Sequence, residues 1–114
     1  MNQRRNVRAA VELPVAWRLV DESDIHVGSC TNLSAGGAAI ESRFWLRRTT
    51  RLYVAIGHEA LGLFFEGTAE VVRCRRVDDR YTVSLRMIDL PRATAAEIGR
   101  YVIRALAAEP VSAD

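Results

Sequence analysis

The sequence predicts a mainly β fold, an antiparallel barrel or sandwich followed by one C-terminal helix. Turn-forming residues recur roughly every 8–12 positions between short apolar segments, a pattern typical of all-β domains. The last part of the chain instead carries apolar residues at helical spacing. The length of 114 residues suits one domain, and a content of 49% hydrophobic and 26% charged residues is that of an ordinary globular protein.

The strands are predicted from β-branched and apolar segments that lie between turn signals. The expected strands cover residues 13–20, 25–31, 38–41, 51–56, 61–65, 68–77 and 81–88. The polar segment 21–24 forms the first turn, and Asp78, Asp79 and Arg80 form the last one. Glu66 and Gly67 are expected to interrupt the chain between two separate strands, because glycine weakens a strand interior.

A helix is expected after Pro91, which ends the last strand. Thr94 and Glu97 have the spacing of a capping box, in which each side chain accepts a hydrogen bond from a free backbone N–H. The apolar positions that follow recur on one face and predict a stripe that packs against the barrel or sandwich. They are Ile98, Tyr101, Val102, Ala105 and Leu106, and the helix is expected to end near Ala107.

The domain organisation follows from these elements. Residues 1–10 are polar and basic and predict a flexible, arginine-rich, ligand-binding arm. Residues 11–107 form the single barrel and its helix, and residues 108–114 form a frayed tail. The N-terminus lacks the apolar segment of a secretory signal, and no run approaches the length of a membrane span. A cytoplasmic protein without membrane insertion is therefore expected.

Composition also limits the chemistry. The two cysteines and two histidines are scattered without zinc-ligand spacing, so we expect free thiols and no metal site. Neither histidine stands near a nucleophile or a carboxylate at catalytic spacing, and neither a cofactor nor an enzymatic activity is expected. All 16 basic residues are arginines. The net charge of +2 is too small for a protein that coats DNA by charge alone.

Three arginines in the arm are the first candidate binding residues. Arg4, Arg5 and Arg8 lie close together at the N-terminus. A guanidinium presents a rigid fork of donors and a planar face. The fork matches the oxygens of a phosphodiester or the O6 and N7 acceptors of guanine, and the face can stack on a purine. Arginines spaced along an extended arm can therefore hold separate parts of one ligand.

The second candidate is the turn from Asn32 to Gly37. The Asn32 amide offers one acceptor and two donors to a base edge, and the Ser34 hydroxyl either caps the turn or donates to a phosphate oxygen. Gly36 and Gly37 permit positive φ and a close approach of backbone to ligand. Together, the arm and the turn predict a receptor for a small, doubly anionic ligand that contains guanine.

The two motifs, in this order and with this arrangement of strands, resemble the PilZ domain. Arg4 and Arg8 fill the family's R-x-x-x-R pattern, with Arg5 as the frequent additional arginine. Asn32, Ser34 and Gly37 fill its [D/N]-x-S-x-x-G pattern. The resemblance covers nearly all of residues 4–107, including the strand before the helix.

The resemblance implies a six-stranded antiparallel barrel with a C-terminal helix, and a receptor for the bacterial second messenger cyclic di-GMP. It implies that Arg4 and Arg8 clamp phosphate and guanine and that Arg5 is an auxiliary contact. The turn residues would hold the other side of the ligand; they are Asn32, Ser34, Gly36 and Gly37. We expect binding to order residues 1–10 over the barrel mouth and so to signal to a protein partner.

Two departures from the family pattern concern the pocket. Asn32 stands where many members have aspartate, whose carboxylate pairs better with the N1–H and N2–H donors of guanine. Ser84 and Met87 stand near positions where members often have a glycine and an aromatic residue. A second hypothesis therefore keeps the fold without the ligand, as a degenerate module that serves only protein interaction.

A third hypothesis is a small barrel that binds single-stranded nucleic acid. Arginines flank Phe44 and Trp45, a mixture found in such proteins; they are Arg43, Arg47, Arg48 and Arg51. A further basic stretch, at Arg73, Arg75 and Arg76, is expected on a solvated strand face. We expect Phe44 and Trp45 to pack at the barrel rim, so nucleic acid is not an expected partner.

Overall fold

Six antiparallel strands close into a barrel in a computed structural model, which describes residues 7–108. The strands run around the barrel in the order β1-β2-β3-β6-β5-β4, and β4 pairs with β1 to close it. The elements are β1 Ala9–Leu19, β2 His26–Ser34, β3 Gly37–Ser42, β4 Arg51–His58, a 3-10 turn Glu59–Leu61, β5 Leu63–Val77, β6 Arg80–Ile88 and α1 Arg92–Ala107. The predicted barrel with a C-terminal helix is confirmed.

The core fills the barrel with alternate side chains from every strand. In β1, Leu13, Val15 and Trp17 point inward, as the period of two in a strand requires. Leu33, Ile40, Leu52, Ile56, Val71 and Val83 are among the largest fully buried side chains. The barrel therefore has a packed apolar interior, and any ligand must be bound on its outside or at an end.

Helix α1 packs against β1, β2 and β5. Its inward residues Ile98 and Val102 are buried and belong to the same core cluster as the barrel, which confirms the predicted apolar stripe. The predicted capping box is wrong. The helix begins at Arg92, and Pro91 occupies the N-cap without a side-chain hydrogen bond. The first turn is closed by Ala95 N–H donating to the Pro91 carbonyl at 2.9 Å, which places Thr94 inside the helix.

Strand β5 differs from its prediction because it passes through Glu66 and Gly67 without a break. Gly67 pairs with Val54 of β4. A Cβ atom at Gly67 would lie 2.9 Å from Met87 Cε and 3.4 Å from Leu90 Cδ1. Gly67 thus makes room for two apolar side chains that pack across the strand.

Strand β1 begins at Ala9, four residues before the predicted start at Leu13. An irregularity in the β1–β2 register between Ala10 and Leu13 breaks the alternation that would have indicated a strand. Ala9 is buried, so the part of the arm after Arg8 belongs to the barrel. The rest of the predicted arm, residues 1–6, and the predicted tail from residue 109 onward lie outside the described residues.

Candidate ligand-binding site

The turn between β2 and β3 is held by one hydroxyl. Ser34 Oγ accepts hydrogen bonds from the backbone N–H groups of Gly36 and Gly37, both at 3.2 Å. Ser34 is only 3% exposed. Of the two roles considered for this hydroxyl, the structure shows the cap of the turn, which satisfies two backbone donors that the short connection leaves without a strand partner.

Glycine at position 37 is required by the packing of β3 against β6. Gly37 pairs with Arg86, and a Cβ atom on Gly37 would lie 2.3 Å from the Leu85 carbonyl oxygen. No side chain fits at that distance from a backbone atom. The neighbouring Gly36 carbonyl accepts from Met87 N–H at 3.0 Å. The close approach that sequence reasoning assigned to a ligand is made here by another strand.

The two sequence motifs meet through one side-chain contact. Arg8 immediately precedes β1, and its Nη1 donates to Asn32 Oδ1 near the end of β2 at 3.0 Å. The antiparallel pairing of Ala10 with Asn32 brings the residues together although 24 positions separate them in the chain. Arg8 is exposed and Asn32 is half-buried, so both remain accessible from outside the barrel.

Asn32 begins a row of outward-facing side chains that crosses four strands. Directly paired residues of antiparallel strands project from the same face of a sheet. Asn32 pairs with Ala39, Ala39 with Ser84, and Ser84 with Arg73. We call these four residues the outer shelf. It spans about 14 Å, three steps between neighbouring strands. Its two middle side chains are small, and Ser84 is half-buried while Ala39 is only 9% exposed, so little of either side chain rises above the strands.

A second row of cross-strand neighbours borders the outer shelf. Gly37, Arg86 and Glu70 pair across β3, β6 and β5. Arg86 forms an ion pair with Glu70, the only such pair between side chains within residues 7–108. The exposed Arg73 and Arg8 thus have no carboxylate partner within the described chain and stand at opposite ends of the shelf. An anion on the shelf would lie between two guanidinium groups.

The two departures in the last strand have different consequences. Ser84 lies on the outer shelf, between Ala39 and Arg73, and a hydroxyl there reduces the space that a glycine would leave open. Met87 is 8% exposed and packs inside the barrel against Gly67. Only the change at position 84 therefore alters the surface that a ligand would contact.

Other polar groups are engaged locally. Burial raises the pKa of the Cys30 thiol to about 11, and a hydrogen bond with the Asn32 backbone acts in the opposite direction. His58 Nδ1 accepts from Ala60 N–H at 3.0 Å and caps the 3-10 turn.

Among residues 7–108, no three His, Cys, Asp or Glu side chains are grouped so that they could hold a metal ion. None of the helices described there is long and apolar enough to cross a membrane.

One cleft of the surface lies elsewhere on the barrel. It measures about 490 Å³ and opens on the β1–β4–β5 side, with Ala16, Tyr53 and Thr68 in its wall. None of the motif residues among those that the structure describes lines it.

The predicted site residues thus divide in three. Arg8 and Asn32 are brought together and are accessible. Ser34, Gly36 and Gly37 build the turn below them. Arg4 and Arg5 lie outside the described residues. Arg73 lies on a solvated strand face, as predicted. The sequence did not show that Ala39 and Arg73 are in line with Asn32, because cross-strand neighbours cannot be read from it until the register is known.

Comparisons with known proteins agree with this fold. No curated protein matches the chain. Among solved structures, the inhibitor of motility MotI/DgrA of Bacillus subtilis superposes with a TM-score of 0.78 at 18% identity, covering 94% of this chain and 53% of that one. YcgR of Escherichia coli, in complex with c-di-GMP, gives a TM-score of 0.78 at 16% identity, covering 92% of this chain and 46% of that one.

This chain therefore spans about half the length of those two proteins. The isolated PilZ domain of Escherichia coli YcgR, solved with c-di-GMP, is matched over 93% of both chains, with a TM-score of 0.74 and 17% identity. The family model of the PilZ domain matches residues 2–104, and the chain belongs to the PilZ domain family.

Proposed function

We propose that this protein is a receptor for cyclic di-GMP that acts as an adaptor and has no catalytic role. The observation that carries the proposal is the contact between Arg8 and Asn32 at 3.0 Å. It joins an exposed guanidinium to a base-reading amide at one end of the outer shelf. Two of the solved relatives are described as complexes with c-di-GMP, which supports the same ligand class here.

The charge and shape of the outer shelf suit a cyclic dinucleotide. The ligand carries two phosphodiester charges, and an arginine without a carboxylate partner among residues 7–108 stands at each end of the shelf, Arg8 beside Asn32 and Arg73 at the other end. Ala39 and Ser84 between them allow a flat purine to approach the strands. Asn32 Oδ1 retains a second lone pair beside the bond from Arg8, and its amide nitrogen keeps two donors, so it can pair with the edge of a guanine.

The two arginines that precede Arg8 in the chain give the N-terminal arm its proposed role. Arg4 and Arg5 precede Arg8 by only a few residues and would close over a ligand that Arg8 already holds. Contacts between these arginines and the ligand would favour one arrangement of the arm. The covered shelf and the ordered arm would then present a new surface to a protein partner.

Calorimetric titration with cyclic di-GMP tests the proposal, with GMP and cyclic GMP as control ligands. Selective binding of the cyclic dinucleotide is expected. Arg8→Ala should weaken it on the order of 10- to 100-fold, because it removes a charged hydrogen-bonding group. Arg100→Ala, on the exposed face of α1, removes the same charge far from the shelf and should bind as the wild type does. Undiminished affinity of Arg8→Ala would contradict the assignment of the site.

A degenerate interaction module is the second candidate, and the buried turn favours it. Ser34 and Gly37 are both needed by the fold, so their presence is explained without a ligand. This candidate predicts no heat of binding and no thermal stabilisation at saturating cyclic di-GMP. A stabilisation that depends on Arg8 would exclude it, since a ligand that binds only the folded state must raise the unfolding temperature.

A further inference from the structure

Positive charge is concentrated in two segments of the barrel. Residues 43–50 connect β3 to β4, and residues 71–80 form the second half of β5 and its hairpin. Together they contain seven arginines and two aspartates, a net charge of +5. The rest of the chain contains nine arginines and 12 acidic residues, a net charge of −3. We call the two segments the arginine-rich side.

Backbone contacts hold the two segments side by side. Beyond Glu70, β5 no longer pairs with β4, and the 43–50 connection takes its place along that edge. Val71 N–H donates to the Thr50 carbonyl and Thr49 N–H to the Val71 carbonyl, both at 2.8 Å. Leu46 N–H donates to Cys74 Sγ at 3.4 Å. The arginines of the two segments therefore lie near one another along this edge of the barrel, with Arg73 and Arg75 on one face of β5 and Arg76 on the other.

The guanidinium groups of this surface are available to a partner. All seven arginines are exposed; they are Arg43, Arg47, Arg48, Arg73, Arg75, Arg76 and Arg80. None of them forms an ion pair within the part of the chain that the structure describes. Arg76 donates to the Asp78 carbonyl, a local turn contact that leaves its charge uncompensated. Seven unpaired cations of this kind attract a polyanion.

Two aromatic rings stand in the same surface. Sequence reasoning expected Phe44 and Trp45 to pack at the rim, but they are 48% and 60% exposed. Phe44 contacts the His26 ring edge-on, with the ring centroids 5.0 Å apart. Leu46, on the other side of Trp45 in the chain, is buried, with 7% of its surface exposed. The connection is thus anchored on both sides of Trp45, whose indole is left free for stacking.

We propose that the arginine-rich side binds single-stranded nucleic acid without base-specific readout. Exposed aromatic rings beside a row of cations allow bases to stack while phosphates are neutralised, and stacking does not depend on the base. The second half of β5, residues 71–77, runs for about 20 Å. That length suits the low end of the range of roughly 4–16 nucleotides that small barrels bind.

An anionic membrane is the less suitable polyanion. His26, against which Phe44 packs, follows directly on the β1–β2 connection. That connection exposes three carboxylates, at Asp21, Glu22 and Asp24. A flat lipid surface that reached Phe44 would bring these carboxylates close to its own negative charge. A single strand that follows β5 along the side of the barrel would not meet them.

Fluorescence polarisation with labelled 16-nucleotide single-stranded DNA and RNA of mixed sequence tests the proposal. Both should bind, and the affinity should fall as the salt concentration rises from 50 to 200 mM. The double variant Arg47→Ala with Arg48→Ala should have a weaker salt dependence. Its negative slope of log K against log salt should be less steep by about 1.4, because each phosphate contact contributes about 0.7 for single strands. The matched double variant Arg100→Ala with Arg104→Ala, on α1, should keep the wild-type slope.

Stacking is tested separately from charge. Trp45→Ala should weaken binding on the order of tenfold, the effect of losing one stacked base. Phe64→Ala, which removes a 44% exposed ring outside the arginine-rich side, should leave it unchanged. Equal affinity for a duplex of the same sequence, or binding only to phosphatidylglycerol vesicles, would overturn the proposal. An equal loss of affinity for the oligonucleotide in Trp45→Ala and Phe64→Ala would overturn it as well.

The outer shelf and the arginine-rich side share Arg73, but Arg8 lies beside the shelf alone and Trp45 lies in the arginine-rich side alone, so variants at these two positions separate the two kinds of binding. Arg8→Ala should retain its affinity for the oligonucleotide, and Trp45→Ala should retain the behaviour of the wild type towards cyclic di-GMP. Thermal unfolding of each variant verifies that it is folded. A failure of the nucleotide site would then leave the oligonucleotide result intact, and the reverse holds as well.

Discussion

The two parts of the candidate site, the β2–β3 turn and the Arg8–Asn32 pair above it, contrast in their physical roles. Ser34 and Gly37 are buried, and their hydrogen bonds and packing are satisfied within the fold. Arg8 is exposed, and its hydrogen bond is with another side chain that also faces solvent. Residues of one sequence motif thus either support the backbone or remain accessible at the surface, and the contrast predicts which variants lose stability and which lose the proposed binding.

The largest effect is expected for Gly37→Ala. The added methyl group would overlap the Leu85 carbonyl oxygen, which lies 2.3 Å from the ideal Cβ position, so β3 and β6 must separate. We expect a loss on the order of 3 kcal/mol or more in the free energy of unfolding, since a backbone atom cannot rotate away. The midpoint of thermal unfolding, measured by circular dichroism, should fall by more than about 10 °C.

Gly99 provides the matched control. It lies in α1, and a Cβ atom there would meet nothing within 4 Å. Gly99→Ala should raise stability by about 0.5–1 kcal/mol, because alanine favours the helix. If Gly37→Ala were as stable as the wild type, the turn glycine would not be held by strand packing and the contrast between the two parts of the site would fail.

Ser34→Ala should have the next largest effect on stability. The substitution leaves the N–H groups of Gly36 and Gly37 without their acceptor in a buried turn. An unsatisfied buried donor costs about 1–3 kcal/mol, so chemical denaturation should show a loss of about 2 kcal/mol. Ser29→Ala, whose hydroxyl has no partner among residues 7–108, should change stability by less than about 0.5 kcal/mol. Unchanged stability of Ser34→Ala would instead point to a role of the hydroxyl in binding.

The buried thiol of Cys30 makes the free energy of unfolding depend on pH, and this dependence reports on the packing of the buried part of the site. Its pKa of about 11 in the fold exceeds the ordinary value of 9.0 because burial disfavours the thiolate. The unfolded chain therefore releases this proton first, so the stability contribution is complete below pH 9 and is lost as the pH rises towards 11. Denaturation at pH 8 and pH 10 should show a loss of about 1.4 kcal/mol from this group.

Cys30→Ala should lack that part of the alkaline loss, whatever its stability at pH 8. Cys74→Ala, which removes the half-buried second thiol, is the matched control and should keep the wild-type dependence. An identical pH dependence of Cys30→Ala and the wild type would show that the strand carrying Asn32 is less tightly packed than the structure indicates.

The sequence was sufficient for the fold because turn residues and apolar alternation are local signals. The barrel, the helix stripe at Ile98 and Val102, and the hairpin at Asp78 could all be predicted. The start of β1 could not, because a register irregularity hides its alternation. The continuity of β5 through Gly67 depends on Met87 and Leu90, which are remote in the chain.

The candidate site shows the same difference between local sequence signals and contacts made by residues that are remote in the chain. The motif patterns selected Arg8 and Asn32, but they did not show that the two residues touch. The outer shelf depends on the register of four strands, so Ala39 and Arg73 were not recognisable as neighbours of Asn32. The exposure of Trp45 was also not predictable, because it depends on how the buried Leu46 anchors the β3–β4 connection.

Asn32→Asp should have the smallest effect, and it tests the exposed part of the site most specifically. It places a carboxylate opposite Arg8 in a solvent-accessible pair, so stability should rise by less than about 1 kcal/mol. If guanine presents its N1–H and N2–H donors to this position, the carboxylate should also raise the affinity for cyclic di-GMP, by several-fold in calorimetry. Lower affinity with unchanged stability would mean that the ligand accepts from the Asn32 amide instead. Either change in binding without a matching change in unfolding would place Asn32 with Arg8 and not with the buried turn.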